Sequence, residues 1–363
     1  MLEGREVYDT SLNIASDFYN ELVSRLFSTI PKVGYGAFHG LFTLTAPPTS
    51  SNLTHLYCEH FRDIHIIFPL IRNNHMTLEE LEIELEDSDQ FEHIVCNESG
   101  QYLQYPRLKV LKSSAIESEV IVGRFELPTP PFPSLEHLSL AHIYPFEDDA
   151  PFQGNCDNLK QVSLHLGMED IIILGTHELF AVNRLPHVMH LFLKINLVEE
   201  PYELVLGEMI SKIAMQMAPQ VQRLSLRLLA FPYKDALIEA IVSPHSASKN
   251  IVSLDIEGVQ LGLADLFMIL KHLPSIKELR IEPDLEEDYT AQAVPAFEDE
   301  DEEEDEDYDN LSLEPKDYLA LNLKYLSVMG KCYADTMNLI TFGARVAARC
   351  PKLSFCDMTG GKL

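Results

Sequence analysis

One hydrophobic pattern recurs along the chain. An apolar residue is followed by two variable residues, a second apolar residue, one variable residue and a third apolar residue. Clear copies begin at Leu78, Leu135, Leu159, Val188, Val221, Ile251, Ile276 and Leu323, and weaker copies begin at Leu53, Leu108 and Leu353. Because apolar residues that alternate in this way line one face of a β-strand, each copy predicts a strand with one buried side.

The copies follow one another at a nearly constant distance. Successive first positions lie 24 to 33 residues apart, except for the interval of 47 residues between Ile276 and Leu323. A period of about 28 residues suits a repeat made of one strand and one helix. The sequence therefore predicts an α/β solenoid, in which a curved parallel sheet lines the inner face and helices form the outer face.

The segments between the strands support this interpretation. Residues 202–217, 261–273 and 333–350 place apolar side chains at helical spacing, which predicts a helix in each segment. A proline follows each of them, at Pro219, Pro274 and Pro351. Since proline cannot continue a helix, these positions indicate where the predicted helices end.

Three segments resemble a known family of repeat proteins. They are Tyr105–Lys112 (YPRLKVLK), Pro131–Leu140 (PFPSLEHLSL) and Ala218–Leu226 (APQVQRLSL). They look like the leucine-rich repeats of the ribonuclease-inhibitor and F-box type, and more narrowly like the repeat region of fungal F-box-like proteins. The resemblance covers residues 53 to 363. It implies a leucine-rich-repeat solenoid and, as one possible function, the substrate-recognition subunit of a cullin-type ubiquitin ligase.

The chain departs from that family in two respects. The family's asparagine or cysteine, eight positions after the first apolar residue, is matched only by Asn196 in the repeat that begins at Val188. The Leu-Pro-x-Glu start and late tryptophan of an F-box are not found, and the apolar spacing of Phe18–Ile30 fits either a capping helix or an F-box remnant. We therefore predict a mostly helical N-terminal cap over residues 1–52 and about eleven irregular repeats over residues 53–363.

Charge narrows the range of partners. Asp and Glu number 57 against 27 Lys and Arg, a net charge of −30, which disfavours binding to a phosphate backbone. Eleven of the twelve residues from Glu298 to Asp309 are acidic, and we expect a disordered insertion over about residues 285–315. This insertion is either a tolerated loop or a contact for a basic protein. It lacks the spaced carboxylates and glycine of an EF-hand.

The sequence shows no pattern typical of a catalytic, cofactor or metal site. The nearest ligand clusters, Cys58 with His60 and His65 and His187 with His190, have no second matched pair. The six cysteines show no Cys-x-x-Cys spacing, which favours buried reduced thiols. Without a signal sequence or a membrane-length apolar stretch, we expect a monomeric intracellular protein, cytoplasmic or nuclear, that is not an enzyme and contacts no membrane.

Function is expected on the inner face, where the variable residues of the strands point away from the core. Phe192 is the proposed anchor for a protein partner, because His165, Lys194 and Arg227 are expected around it and polar residues ringing an aromatic side chain are typical of a hot spot. Arg280 is the fifth candidate residue. Sideways packing of Phe192 against neighbouring strands is the alternative. The chain is thus predicted to be a non-catalytic scaffold for protein binding, with an unidentified partner.

Overall fold

The computed structural model describes the parts of the chain in which the repeats lie. The described residues are 32–35, 52–58, 67–85, 93–97, 99–101, 103–117, 131–144, 158–167, 185–196, 212–229, 234–243, 247–284, 322–330 and 336–360. They belong to two compact units, the first containing the strands up to Leu166 and the second those from His190 onwards.

Six parallel strands form the sheet of the first unit, each paired with the next in sequence order. They are β1 (Lys32–Tyr35), β2 (His55–Cys58), β3 (Glu80–Ile83), β4 (Val110–Glu117), β5 (His137–Tyr144) and β6 (Gln161–Leu166). A short helix, α1 (Phe68–Asn73), lies between β2 and β3 in sequence, and it buries Phe68, Leu70 and Ile71.

Six further strands form the sheet of the second unit, again parallel and in sequence order. They are β7 (His190–Asn196), β8 (Arg223–Leu229), β9 (Ser253–Leu261), β10 (Glu278–Pro283), β11 (Tyr325–Gly330) and β12 (Phe355–Gly360). The α-helices described between them are α2 (Lys234–Val242), α3 (Leu263–His272) and α4 (Thr336–Ala348). Lys212–Gln216 forms a π-helix and Ala247–Lys249 a 3₁₀-helix.

The hydrophobic pattern predicts the strands closely. Every strand from β2 to β12 begins two residues after the first apolar position of one of the eleven copies, as Leu53 and His55 illustrate. In the ten copies from Leu53 to Leu323, the first and second apolar residues are at most 3% exposed. The α/β class and the parallel order are therefore confirmed within each unit, and the arrangement is compatible with a leucine-rich-repeat-like solenoid.

The remaining structural predictions have different outcomes. Helices α3 and α4 confirm those predicted over 261–273 and 333–350, whereas the described part of 202–217 is π-helical. Strand β1 was not predicted, because Lys32–Tyr35 carries no copy of the motif. The rest of the predicted cap, including Phe18–Ile30, and the acidic insertion lie outside the described residues.

A repeated pair of hydrogen bonds aligns the starts of the strands. The carbonyl group just before one strand accepts two backbone N–H groups from the next repeat. The Thr54 oxygen accepts from Glu79 and Glu80 at 2.7 and 3.1 Å, and the Lys324 oxygen accepts from Ser354 and Phe355 at 3.0 and 3.1 Å. Because these bonds recur from repeat to repeat, equivalent motif positions become neighbours across each sheet.

A ladder of polar side chains lies just before the strands. The residue preceding the first apolar position donates a hydrogen bond to a carbonyl oxygen of the previous repeat. These bonds are Ser134 to Pro106, Asn158 to Pro133, Asn250 to Pro219, Ser275 to Lys249 and Asn322 to Pro274, at 2.6 to 3.2 Å. The turns before the strands are thus joined by side chains as well as by the backbone.

Candidate functional site

Four of the five predicted site residues lie on strands of the second unit. Phe192 and Lys194 are on β7, Arg227 is on β8 and Arg280 is on β10. Their side chains alternate with buried apolar residues, so they belong to the face of the sheet opposite the core. We call the residues of β7 to β10 on this side the strand face.

The sheet register brings two of the predicted residues together. Lys194 lies directly opposite Arg227, and Phe192 lies opposite Ser225. Phe192 and Lys194 are half-buried, whereas Arg227 is exposed. The fifth predicted residue, His165, is half-buried on β6 of the first unit.

Acidic side chains of β9 form ion pairs with both predicted arginines. A guanidinium nitrogen of Arg227 lies 3.2 Å from a carboxylate oxygen of Glu257, and a guanidinium nitrogen of Arg280 lies 3.9 Å from Oδ2 of Asp255. Arg280 also donates its Nε–H to the sulfur of Met329 on β11 at 3.0 Å. The strand face therefore carries alternating positive and negative side chains across β8, β9 and β10.

Asp255 is the most constrained charge on this face. Its Oδ2 accepts a hydrogen bond from Ser225 at 3.3 Å, while its buried Oδ1 has no hydrogen-bond partner. Burial raises the pKa of Asp255 above its ordinary value, although the positive charge of Arg280 acts in the opposite direction. The carboxylate consequently helps to orient Arg280 at some cost in solvation.

Gly258 determines how β9 continues past this cluster. Its φ is +91°, and a Cβ atom placed on it would lie 1.8 Å from the backbone oxygen of Leu228. The pairing of β9 with β10 changes register next to it, and its N–H donates to the carboxylate of Glu282 at 3.0 Å. Only glycine fits this close approach of β9 to β8, so Gly258 shapes the backbone of the strand face.

An aromatic pair on the last two strands was missed by the sequence analysis. The rings of Tyr325 and Phe355 stack in parallel with their centroids 5.1 Å apart, and Phe355 is 54% exposed. Both residues lie two positions after the first apolar residue of their repeats. That motif position was not included among the candidates, although its alignment would have revealed the pair.

The first unit carries a polar network of its own. Tyr57 donates its hydroxyl to Glu80 at 2.6 Å, and His55 places Nε2 3.4 Å from the other oxygen of the same carboxylate. The hydrogen bond to Glu80 raises the pKa of Tyr57 to about 12. The phenol therefore stays protonated at neutral pH and serves as a donor, the reverse of an activated nucleophile.

The described residues contain no group of three or more His, Cys, Asp or Glu side chains that could hold a metal ion. Of the cluster Cys58, His60 and His65, only Cys58 is described. Burial raises the pKa of its thiol to about 12. Cys58, Cys96 and Cys350 are buried and form no disulfide, as predicted, whereas Cys356 is partly exposed. Cys156 and Cys332 lie outside the described residues.

No protein-family model matches the chain, and no curated protein matches it. Within the described part of the chain, no helix is long and apolar enough to cross a membrane.

Proposed function

We propose that this protein is a non-catalytic scaffold of the leucine-rich-repeat type that binds a protein partner through its strand face. The observation that carries the proposal is the charged network of Arg227, Glu257, Asp255 and Arg280, which lies on the solvent side of parallel strands. Ion pairs restrict the two arginine side chains before a partner arrives, which reduces the conformational entropy lost on binding.

The composition of the face supports a protein as the partner. Arginine and aromatic side chains are enriched in protein interfaces, and here Phe192 lies on the strand next to Arg227. The two signs of charge alternate over three strands, which favours a mixed polar surface and disfavours a polyanion.

The test compares partner capture by variants of the strand face. Purified protein is used to recover partners from cell extract, and each recovered protein is quantified. We expect Phe192→Ala with Arg227→Ala to lose the specific partners. Met268→Ala, whose side chain is 44% exposed on α3 away from the strand face, should retain them.

A charge exchange separates recognition from folding. Arg227→Glu with Glu257→Arg restores an ion pair in the opposite orientation, so it should preserve stability and still lose the partner. Equal recovery by the wild type, the exchange variant and the alanine variant would refute the strand face as the binding site. Recovery of ubiquitin-ligase adaptors would favour the substrate-recognition function that the family resemblance implies.

A further inference from the structure

The last repeat is not covered in the way that the others are. In the repeats from Leu53 to Leu323 the first and second apolar residues are at most 3% exposed, but the equivalent Leu353 and Cys356 are partly exposed. Phe355, between them in sequence, is 54% exposed. The repeat from Leu353 therefore exposes apolar side chains at motif positions that the other described repeats bury.

The helix of the last repeat is uncovered as well. Ile340, Ala344 and Ala347 lie along one side of α4 and are exposed, and Ile340 reaches 45%, while Phe342 and Val346 are buried. Helix α3 offers a contrast, since the guanidinium of Arg349 covers its Phe267 at 4.6 Å from the ring centre. Apolar side chains are thus exposed on both the strand and the helix of this repeat.

The outer edge of β12 offers backbone hydrogen-bonding groups. Phe355 donates its N–H to Lys324, next to β11, at 3.1 Å. Because successive peptide groups of a strand point to opposite sides, the N–H groups of Cys356 and Met358 point away from β11. No strand in the described part of the chain pairs with that edge. An exposed edge of this kind accepts an additional strand.

The charge at this end is opposite to that of the chain. Residues 336–360 contain three basic residues, Arg345, Arg349 and Lys352, and one acidic residue, Asp357, a net of +2 within a chain of net −30. Lys352 is exposed and Arg345 is partly exposed. An acidic ligand would be attracted to this end, whereas most of the protein would repel it.

We propose that the end formed by β12 and α4 binds an extended, acidic segment of a partner protein, which adds to β12 as a further strand. Backbone bonds to Cys356 and Met358 would provide affinity, apolar side chains of the segment would cover Leu353 and Phe355, and its carboxylates would face Lys352 and Arg345. This site is separate from the strand face of β7 to β10, and it does not depend on the function proposed for that face.

The test uses the complete chain and a designed probe. The probe is a fluorescein-labelled eight-residue peptide that alternates valine with glutamate, and its matched control has lysine in place of glutamate. We expect the acidic peptide to bind at least ~10-fold more tightly than the lysine peptide in fluorescence anisotropy at low salt. Hydrogen exchange should show new protection at the amides of Cys356 and Met358, with little change on β7 and β8.

Two variants locate the binding site. Arg345→Glu with Lys352→Glu should weaken binding of the acidic peptide by ~10-fold or more, and the variant should bind the lysine peptide more tightly than the acidic one. Met358→Pro removes an outward N–H without breaking a bond to β11, so it should abolish binding of the peptide. Melting curves of both variants verify that they fold. If the proline variant unfolds, the binding measurements on the charge variant alone test the proposal.

Three results would overturn the proposal. One is no binding of the acidic peptide at millimolar concentration. Another is binding that neither variant changes, or that protects the strand face instead of β12. The third is reversible self-association of the wild type, measured by sedimentation velocity and lost in Met358→Pro, because it would assign the edge to a second copy of this chain.

Discussion

Two adjacent repeats of the second unit carry the same motif in different surroundings. Leu323 lies just before β11 and Leu326 lies within it, and both residues are 0% exposed. Strand β11 pairs with β10 on one side and with β12 on the other. Leu353 and Cys356 occupy the same positions around β12, the last strand, and remain partly exposed. The comparison shows that the motif selects which side chains point to the core, while the extent of their burial depends on what packs around the repeat.

The largest expected effect comes from the backbone of an interior strand. Gly258→Ala should lower the free energy of unfolding by about 3 kcal/mol or more, because its new Cβ would collide with the Leu228 oxygen at a positive φ. Gly100→Ala is the control, since its φ is +74° but nothing lies within 4 Å of the added carbon. It should cost about 1 kcal/mol in urea denaturation. Equal losses would show that β9 relaxes away from β8.

The next effect tests the comparison directly. Leu323→Ala should cost about 3–4 kcal/mol, because it leaves a cavity in a fully buried site. Leu353→Ala at the equivalent position should cost only about 1–2 kcal/mol, because part of this side chain is already in water. Urea denaturation of both variants measures the difference. A loss for Leu353→Ala as large as that for Leu323→Ala would mean that the last repeat is as well covered as the others.

A smaller effect is expected for the ladder before the strands. Ser275→Ala removes the 2.6 Å bond to the Lys249 oxygen and should cost about 1 kcal/mol. Lys352→Ala is the matched change in the last repeat, because Lys352 occupies the same motif position and its exposed ammonium lies 3.3 Å from Oδ1 of Asn322. This substitution should change the free energy of unfolding by less than about 0.5 kcal/mol. Thermal melting of the two variants shows whether the side-chain bonds before the strands contribute less to stability in the last repeat than in an interior repeat.

The smallest effect concerns the pH dependence of stability. Because burial raises the pKa of Asp255 above 3.8, the folded state holds this proton more tightly than the unfolded state does. Stability should therefore fall as pH rises from the ordinary carboxyl range through the raised pKa. Asp255→Asn should melt at a higher temperature than the wild type at neutral pH, with the difference vanishing in acid below the ordinary pKa.

Asp357→Asn is the control for this change, because Asp357 occupies the same motif position on β12 and its replacement removes the same charge. If Asp255→Asn destabilised the protein at neutral pH, the ion pair with Arg280 would outweigh the burial of the carboxylate.

Part of the strand face could have been predicted by aligning the repeats. Arg227 and Glu257 share one motif position, and Asp255 and Arg280 share another, so a common register makes each pair neighbours across the sheet. The same alignment places Tyr325 beside Phe355. Arg227 and Arg280 were predicted as site residues but were not paired with Glu257 and Asp255, because the strands were considered one at a time.

The sequence by itself determined where the strands lie and which of their residues face the core, because alternating apolar residues are a local signal with a period of two. Only the tertiary structure decided how much each position is buried, how β9 bends at Gly258, and which carboxylates hold Arg227 and Arg280. These properties depend on contacts between residues about 25 to 30 positions apart. The burial of a repeat therefore depends on its surroundings, and among the described repeats the one from Leu353 is the one whose first and second apolar residues remain partly exposed.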